Sequence, residues 1–251
     1  MNPQIPLLLA VSVTDHDIDR TVATARRAEE AGVDALVLLD DPAKAASAEP
    51  ATVLARIAAV TERIGLIGTF AAGYNDSLEL ARRLADLDYL TGGRVGWRIA
   101  PTASRDGHFG SRRPVTAVEE QIWDAGVVAS VVERWSLRTE LRSAQGFPVV
   151  LAEQDGPFTD VVLADEPVSG ITKKVIAKVR TVGDLEHWLE SGRADGVLFQ
   201  PNSLEEFFGQ IVPSLGRGFD LESHTLRDTL GIPAPAPIPT STPIVALAGV
   251  R

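Results

Sequence analysis

Cysteine is absent from the sequence, methionine occurs once and histidine only four times. Without cysteine there are no disulfides, no thiolate nucleophile and no thiolate-held metal. The histidines, His16, His108, His187 and His224, include no i,i+4 pair, so a zinc site is not expected. Basic charge is scarce as well. A formal net charge of −10 argues against a nucleic-acid groove and against an anionic membrane surface. No apolar run approaches the roughly 18 residues of a membrane span. The opening MNPQIPLLLAVSVTD has neither a basic segment nor a cleavage site, so a cytoplasmic location is expected. After the first apolar run stands Thr14-Asp15-His16-Asp17, not G-x-G-x-x-G, which disfavours a dinucleotide-binding dehydrogenase. A protein acting on or binding small molecules remains.

Short apolar runs alternate with amphipathic stretches, the rhythm of βα units around a parallel sheet. Strands are expected at Ile5 to Val13, Asp34 to Asp40, Ile64 to Phe70 and Arg94 to Ala100. The second, DALVLLD, is apolar on both faces, as a buried parallel strand should be. Helices are expected after Asp17, from Glu49-Pro50, and from Asp76 to Gly92-Gly93, the last opened by an acidic variant of the capping box. A polar loop, Thr102 to Pro114, precedes a helix at Ala117 to Trp135.

The rhythm then changes. Strands at Phe147 to Ala152, Thr159 to Ala164 and Lys173 to Arg180 leave gaps too short for crossover helices, which need about 10–12 residues with their connections. It resumes with helix Val182 to Ser191, strand Gly196 to Gln200 and helix Ser203 to Leu215. This predicts an α/β fold, a (β/α)8 TIM-type barrel over residues 1–232 with outer helices missing around strands five to seven. The sheet there is expected to be antiparallel, loosely covered or masked by a partner chain, because bare apolar strand faces are costly. Residues 233–251 begin PAPAPIPTSTP and are expected to form a proline-rich C-terminal arm.

Glu49 to Ala100, EPATVLARIAAVTERIGLIGTFAAGYNDSLELARRLADLDYLTGGRVGWRIA, resembles the bacterial luciferase-like flavin-dependent monooxygenases. The likeness is to the branch that oxidises nitrilotriacetate, EDTA and dibenzothiophene sulfone. ADGVLFQP, LEEFFGQIVPSL and TLRDTLGIP, between Ala194 and Pro233, resemble that branch's last strand and closing segment. His108-Phe109-Gly110 is a weaker echo. Measured against the branch, the chain is shortened and divergent.

The resemblance implies an FMNH2-dependent monooxygenase acting on a small organic substrate, with FMN at the C-terminal ends of the strands. A deazaflavin would suit the same fold. It also implies a separate flavin reductase and a homodimer through the second and third helices. No triad or metal is then needed, since the cofactor carries the chemistry.

Several positions map onto the family's flavin site. Asp40 ends the second strand, where it either bonds the ring or substrate or caps the Asp40-Asp41-Pro42 turn. Thr69 is retained on the third strand, but Ala71, Ala72 and Gly73 stand where the branch has hydroxyls. Tyr74 either lines the pocket or, with Asn75, organises the start of the next helix. Arg98 replaces an asparagine; it either binds flavin or an anion, or forms a salt bridge to Asp40. Phe70, Trp97 and Phe199 suggest an apolar substrate pocket, with packing as the other role open to them.

Other positions depart from the family. Thr116 to Trp123 lacks the His and Tyr the branch carries there. The loop Glu153-Gln154-Asp155-Gly156-Pro157 is acidic where the family binds the FMN phosphate at a helix N-terminus. Arg98, Arg105, Arg112 and Arg113 are the candidates to rebuild that phosphate site. The losses leave an alternative: a non-catalytic luciferase-like barrel without the usual flavin site, acting as a binding or partner subunit. A glycosidase would have only Asp40 and Glu153 as its carboxylate pair.

Overall fold

The computed structural model describes residues 8–13, 17–39, 48–100, 117–138, 140–215 and 225–235. Asp40, the loop 101–116 with Arg105, Arg112 and Arg113, and the arm from 236 onward lie outside the described residues.

Eight strands close into one barrel in sequence order. They are β1 (Leu8–Val13), β2 (Ala35–Leu38), β3 (Gly65–Ala71), β4 (Val95–Ala100), β5 (Val149–Ala152), β6 (Val161–Ala164), β7 (Lys174–Val179) and β8 (Gly196–Phe199). Helices α1 (Ile18–Glu30), α2 (Pro50–Ala58), α3 (Ser77–Leu90), α4 (Ala117–Leu137) and α5 (Val182–Ser191) lie between them. The helical stretch 204–214, with a π-helical turn at Phe207–Ile211, and a short closing helix, Leu226–Leu230, complete the fold.

Local chemistry sets the helix ends. Asp17 accepts the Arg20 N–H, Glu49 the Thr52 N–H with Pro50 in the first turn, and Asp76 the Leu78 and Glu79 N–H groups. Thr181 and Asp184 form a full capping box on α5. After α3, Gly92 and Gly93 adopt φ of 69° and 97°, the left-handed turn that aims the chain into β4.

Alternation along the strands sorts side chains into two cores. Leu36, Leu66, Phe70, Trp97, Val150, Val197 and Phe199 face outward into the helices. Ala35, Val37, Ile67, Val149, Leu151, Leu163, Ile176 and Leu198 fill the barrel. The barrel's base is plugged by Leu226. Cβ atoms added at Gly65 and Gly96 would fall 2.8 Å and 3.1 Å from its methyls, so the two glycines make its room. Arg227 locks the plug by donating to both Asp160 oxygens, at 3.2 and 2.8 Å.

The region of β5 to β7 corrects one expectation. No helices lie between these strands, as anticipated, yet both pairs are parallel, not antiparallel. The connections 153–160 and 165–173 cross back without a helix. Phe158, Val168 and Ile171 from these connections pack half-buried on the outer core. Lys173 ties them together through the Gly156 carbonyl and Asp155. The apolar strand faces are thus covered by the chain's own loops.

Candidate functional site

The strands end at one mouth, which is where parallel barrels gather reactive groups. β3 and β4 bring Thr69 and Arg98 into register as neighbours. Both share the inward face of their strands with Ile67 and Gly96. Thr69 is 1% exposed, and its Oγ1 has no hydrogen-bond partner among the described residues. The Nε of Arg98 is likewise buried and unpartnered.

The far side of Arg98 is committed. Its Nη2 lies 3.1 Å from Glu153 Oε1, at the end of β5. The same oxygen lies 3.1 Å from Lys178 Nζ on β7, and Lys178 also meets Asp165 at 2.7 Å. Two cations rooted in the barrel wall therefore share one carboxylate oxygen. Their exposures are unequal: the Arg98 and Lys178 side chains are 13% and 9% accessible, Glu153 40% and Asp165 73%. Below this layer the barrel is apolar, with Ile67, Leu151, Leu163, Ile176 and Leu198 closing it toward the base.

Thr69 and Arg98 are thus brought together as expected. Glu153 is Arg98's partner; Asp40, the partner considered as the alternative to a bound flavin or anion, lies outside the described residues, as does the Tyr74 side chain. Around Tyr74 the backbone forms a 3-10 turn, Ala72–Tyr74, and Asn75 Nδ2 donates to the Ala71 carbonyl at 2.8 Å.

The three aromatic candidates are not at the mouth. Trp97 packs edge-on against Trp135 of α4, with centroids 6.1 Å apart, and donates its indole N–H to the Phe70 carbonyl. Phe199 packs against Phe207 at 5.3 Å, and Phe70 sits in the outer core beside Leu54. The pleat gives the reason: neighbours of inward Thr69 and Arg98 must face outward. Lys178 was missed. Its signal was KVIAKV, in which Lys174, Ile176 and Lys178 share one face.

The rim from β5 to β8 offers no phosphate cradle among the described residues. No helix follows β5 or β6. The first turn of α5 is taken by Thr181 and Asp184, and the helical stretch after β8 starts at Ser203 with Glu205 and Glu206 in its first turn. Among the described residues no cluster of three or more His, Asp or Glu side chains forms a metal site, and no helix is long and apolar enough to cross a membrane.

Residues 7–114 match the family model described as luciferase-like monooxygenase. Component A of nitrilotriacetate monooxygenase from Aminobacter aminovorans is 37% identical over 91 residues, covering 31% of this chain and 20% of that protein. Over this N-terminal part the chain resembles the luciferase-like monooxygenases. Its matched part spans about a fifth of the length of that curated relative.

Among solved structures, EDTA monooxygenase from Chelativorans sp. BNC1 superposes with a TM-score of 0.70 at 14% identity, over 90% of this chain and 99% of that one. A riboflavin lyase solved with modified FMN and riboflavin gives 0.64 at 14%, over 96% and 99%. Identity this low speaks for the luciferase-like barrel alone. Other structures sharing the fold hold FMN or F420.

Proposed function

We propose that this luciferase-like barrel is a flavin-dependent monooxygenase acting on a small organic molecule at the C-terminal mouth. The observation that carries the reading is the Thr69–Arg98 pair, with a buried hydroxyl and a buried guanidinium nitrogen left unpartnered side by side. Each such atom costs about 1–3 kcal/mol when unpaired. A planar ring edge bearing carbonyl and N–H groups would satisfy both. The residues fit the ring of a flavin; the described rim from β5 to β8 does not fit its phosphate.

A bound reduced flavin supplies the electrons that activate oxygen. The chain's own part is positional. Thr69 and Arg98 fix the ring edge, and the apolar layer of Ile67, Leu151 and Ile176 keeps water from below. The nitrilotriacetate relative is named as one component of its monooxygenase, which supports a separate reductase as partner. A homodimer goes with the same reading, supported by exposed Tyr89 and Leu90 on α3. Light scattering at micromolar concentration checks it, and a monomer mass refutes it.

Fluorescence titration with oxidised FMN, repeated anaerobically with reduced FMN, tests the assignment. Saturable quenching is expected, followed by oxygen uptake once a flavin reductase and NADH are added. No binding of either form at high micromolar concentration overturns the reading in favour of a non-catalytic barrel.

A further inference from the structure

Arg98 and Lys178 converge on a single oxygen of Glu153 from strands on different sides of the mouth. Both cations are held on barrel strands and nearly buried, while the carboxylates that neutralise them lie beyond the strand ends and face solvent. Stability alone gives little reason for such an arrangement. Placing two desolvated cations in a barrel wall is costly, and half-exposed partners repay only part of that cost.

We infer that Arg98, through Nη2, and Lys178 form a binding site for a carboxylate group of the substrate, a site that Glu153 occupies in the unliganded chain, while Arg98 Nε and the Thr69 hydroxyl stay with the flavin ring edge. The substrate-binding role rests on the monooxygenase reading above; the anion site itself does not. Glu153 displays the geometry a ligand would adopt, one carboxylate oxygen 3.1 Å from each cation. Guanidinium nitrogens and an ammonium donate strong charge-assisted bonds to such a group.

A carboxylate suits the site better than a phosphate. Asp155 and Asp165 flank the mouth on the neighbouring loops, and they oppose a dianion more than a monoanion. No helix N-terminus follows β5 or β6 to offset that repulsion. Glu153 acts as a resident competitor, so ligand affinity is set by the difference between the two carboxylates.

Calorimetric titration of the full chain with succinate, inorganic phosphate and the neutral diamide succinamide tests this, with FMN titrated in parallel. Succinate is expected to bind and succinamide is not. Glu153→Gln should bind succinate about tenfold more tightly than the parent, whereas Arg98→Met and Lys178→Met should each weaken it about tenfold. A merely structural ion pair would not give a variant that gains affinity. Should Glu153→Gln fail to fold, Asp165→Asn relieves Lys178 alone from a largely exposed position and carries the same sign.

Succinate binding without FMN binding supports the site and overturns only the flavin reading. FMN binding with no succinate bound at about 10 mM overturns the site alone. Phosphate binding more tightly than succinate, or Glu153→Gln losing affinity, also overturns it.

Discussion

Thr69 and Arg98 are register partners across β3 and β4, and each keeps one buried polar atom unpartnered among the described residues. Elsewhere among the described residues Arg138 Nη1 and Arg227 Nε are also buried without a partner, while other buried polar groups are well supplied. Arg94 donates to the carbonyls of Thr61, Ile64 and Thr91, and Gln145 bridges Asp88, Val95 and Arg227. What distinguishes the Thr69–Arg98 pair is that two such atoms stand on adjacent strands at the mouth, where the ring edge proposed above would satisfy both.

Thr69→Val separates that role from folding. Replacing an unbonded hydroxyl by a methyl removes a buried, unsatisfied group, so the unliganded chain should gain about 1 kcal/mol in urea unfolding. FMN affinity should fall about tenfold in the fluorescence titration. Loss of stability with unchanged FMN affinity would show that the hydroxyl serves the fold.

The Leu226 plug is testable through coupling. Leu226→Ala opens space among Gly65, Gly96 and Ile67, and such a cavity costs about 2–5 kcal/mol. Gly96→Ala brings a methyl within 3.0–3.1 Å of Ile67, Leu151 and Leu226, an overpacking cost of about 1–3 kcal/mol. The double variant should lose less than the two losses combined, because the new methyl enters the space Leu226 vacates. Additive losses in denaturant unfolding would mean the base relaxes instead.

Arg227 is 2% exposed and pairs with Asp160, whose side chain is 23% accessible. Arg227→Met leaves that carboxylate without its cation, although it still accepts the Val150 N–H. Partial exposure puts the cost at about 2–3 kcal/mol, toward the low end for a broken buried pair. Adding Asp160→Asn should recover part of it. FMN affinity should not change, because this pair sits at the opposite end of the barrel from the mouth.

Strands β2 to β4 and their helices were readable because apolar periodicity and capping residues agree there. The faces were readable too. Thr69 and Phe70 are adjacent on one strand, as are Trp97 and Arg98, so inward placement of the polar pair already sends both aromatics outward. Phe199 next to Leu198 follows the same rule. The direction of β5 to β7 was not readable. Connection length left an antiparallel, a loosely covered or a partner-masked sheet open, and only packing shows that Phe158, Val168 and Ile171 let a bare loop do a helix's covering work. Nor did local pattern reveal that Glu153 answers to both Arg98 and Lys178, since those contacts bridge three strands of a closed sheet.

Asp88 gives a pH dependence whose sign is fixed. It is 1% exposed, and burial pushes its carboxyl from 3.8 up to about 6, against hydrogen bonds from Ser143, the Val95 N–H and Gln145 and the charge of Arg227. The folded state therefore holds this proton more tightly than the unfolded chain. The corresponding stabilisation is complete below about pH 4 and is lost as pH rises through about 6. A shift of that size corresponds to about 3 kcal/mol. Asp88→Asn cannot ionise, and it can still accept from Val95 while donating toward Ser143. The stability of the parent minus that of Asp88→Asn, from denaturant unfolding between about pH 4 and pH 8, should fall through this window and flatten above it. Other carboxylates titrate alike in both proteins and cancel. A difference that rises with pH would mean that Arg227 and the three donors stabilise the ionised carboxylate more than burial opposes it.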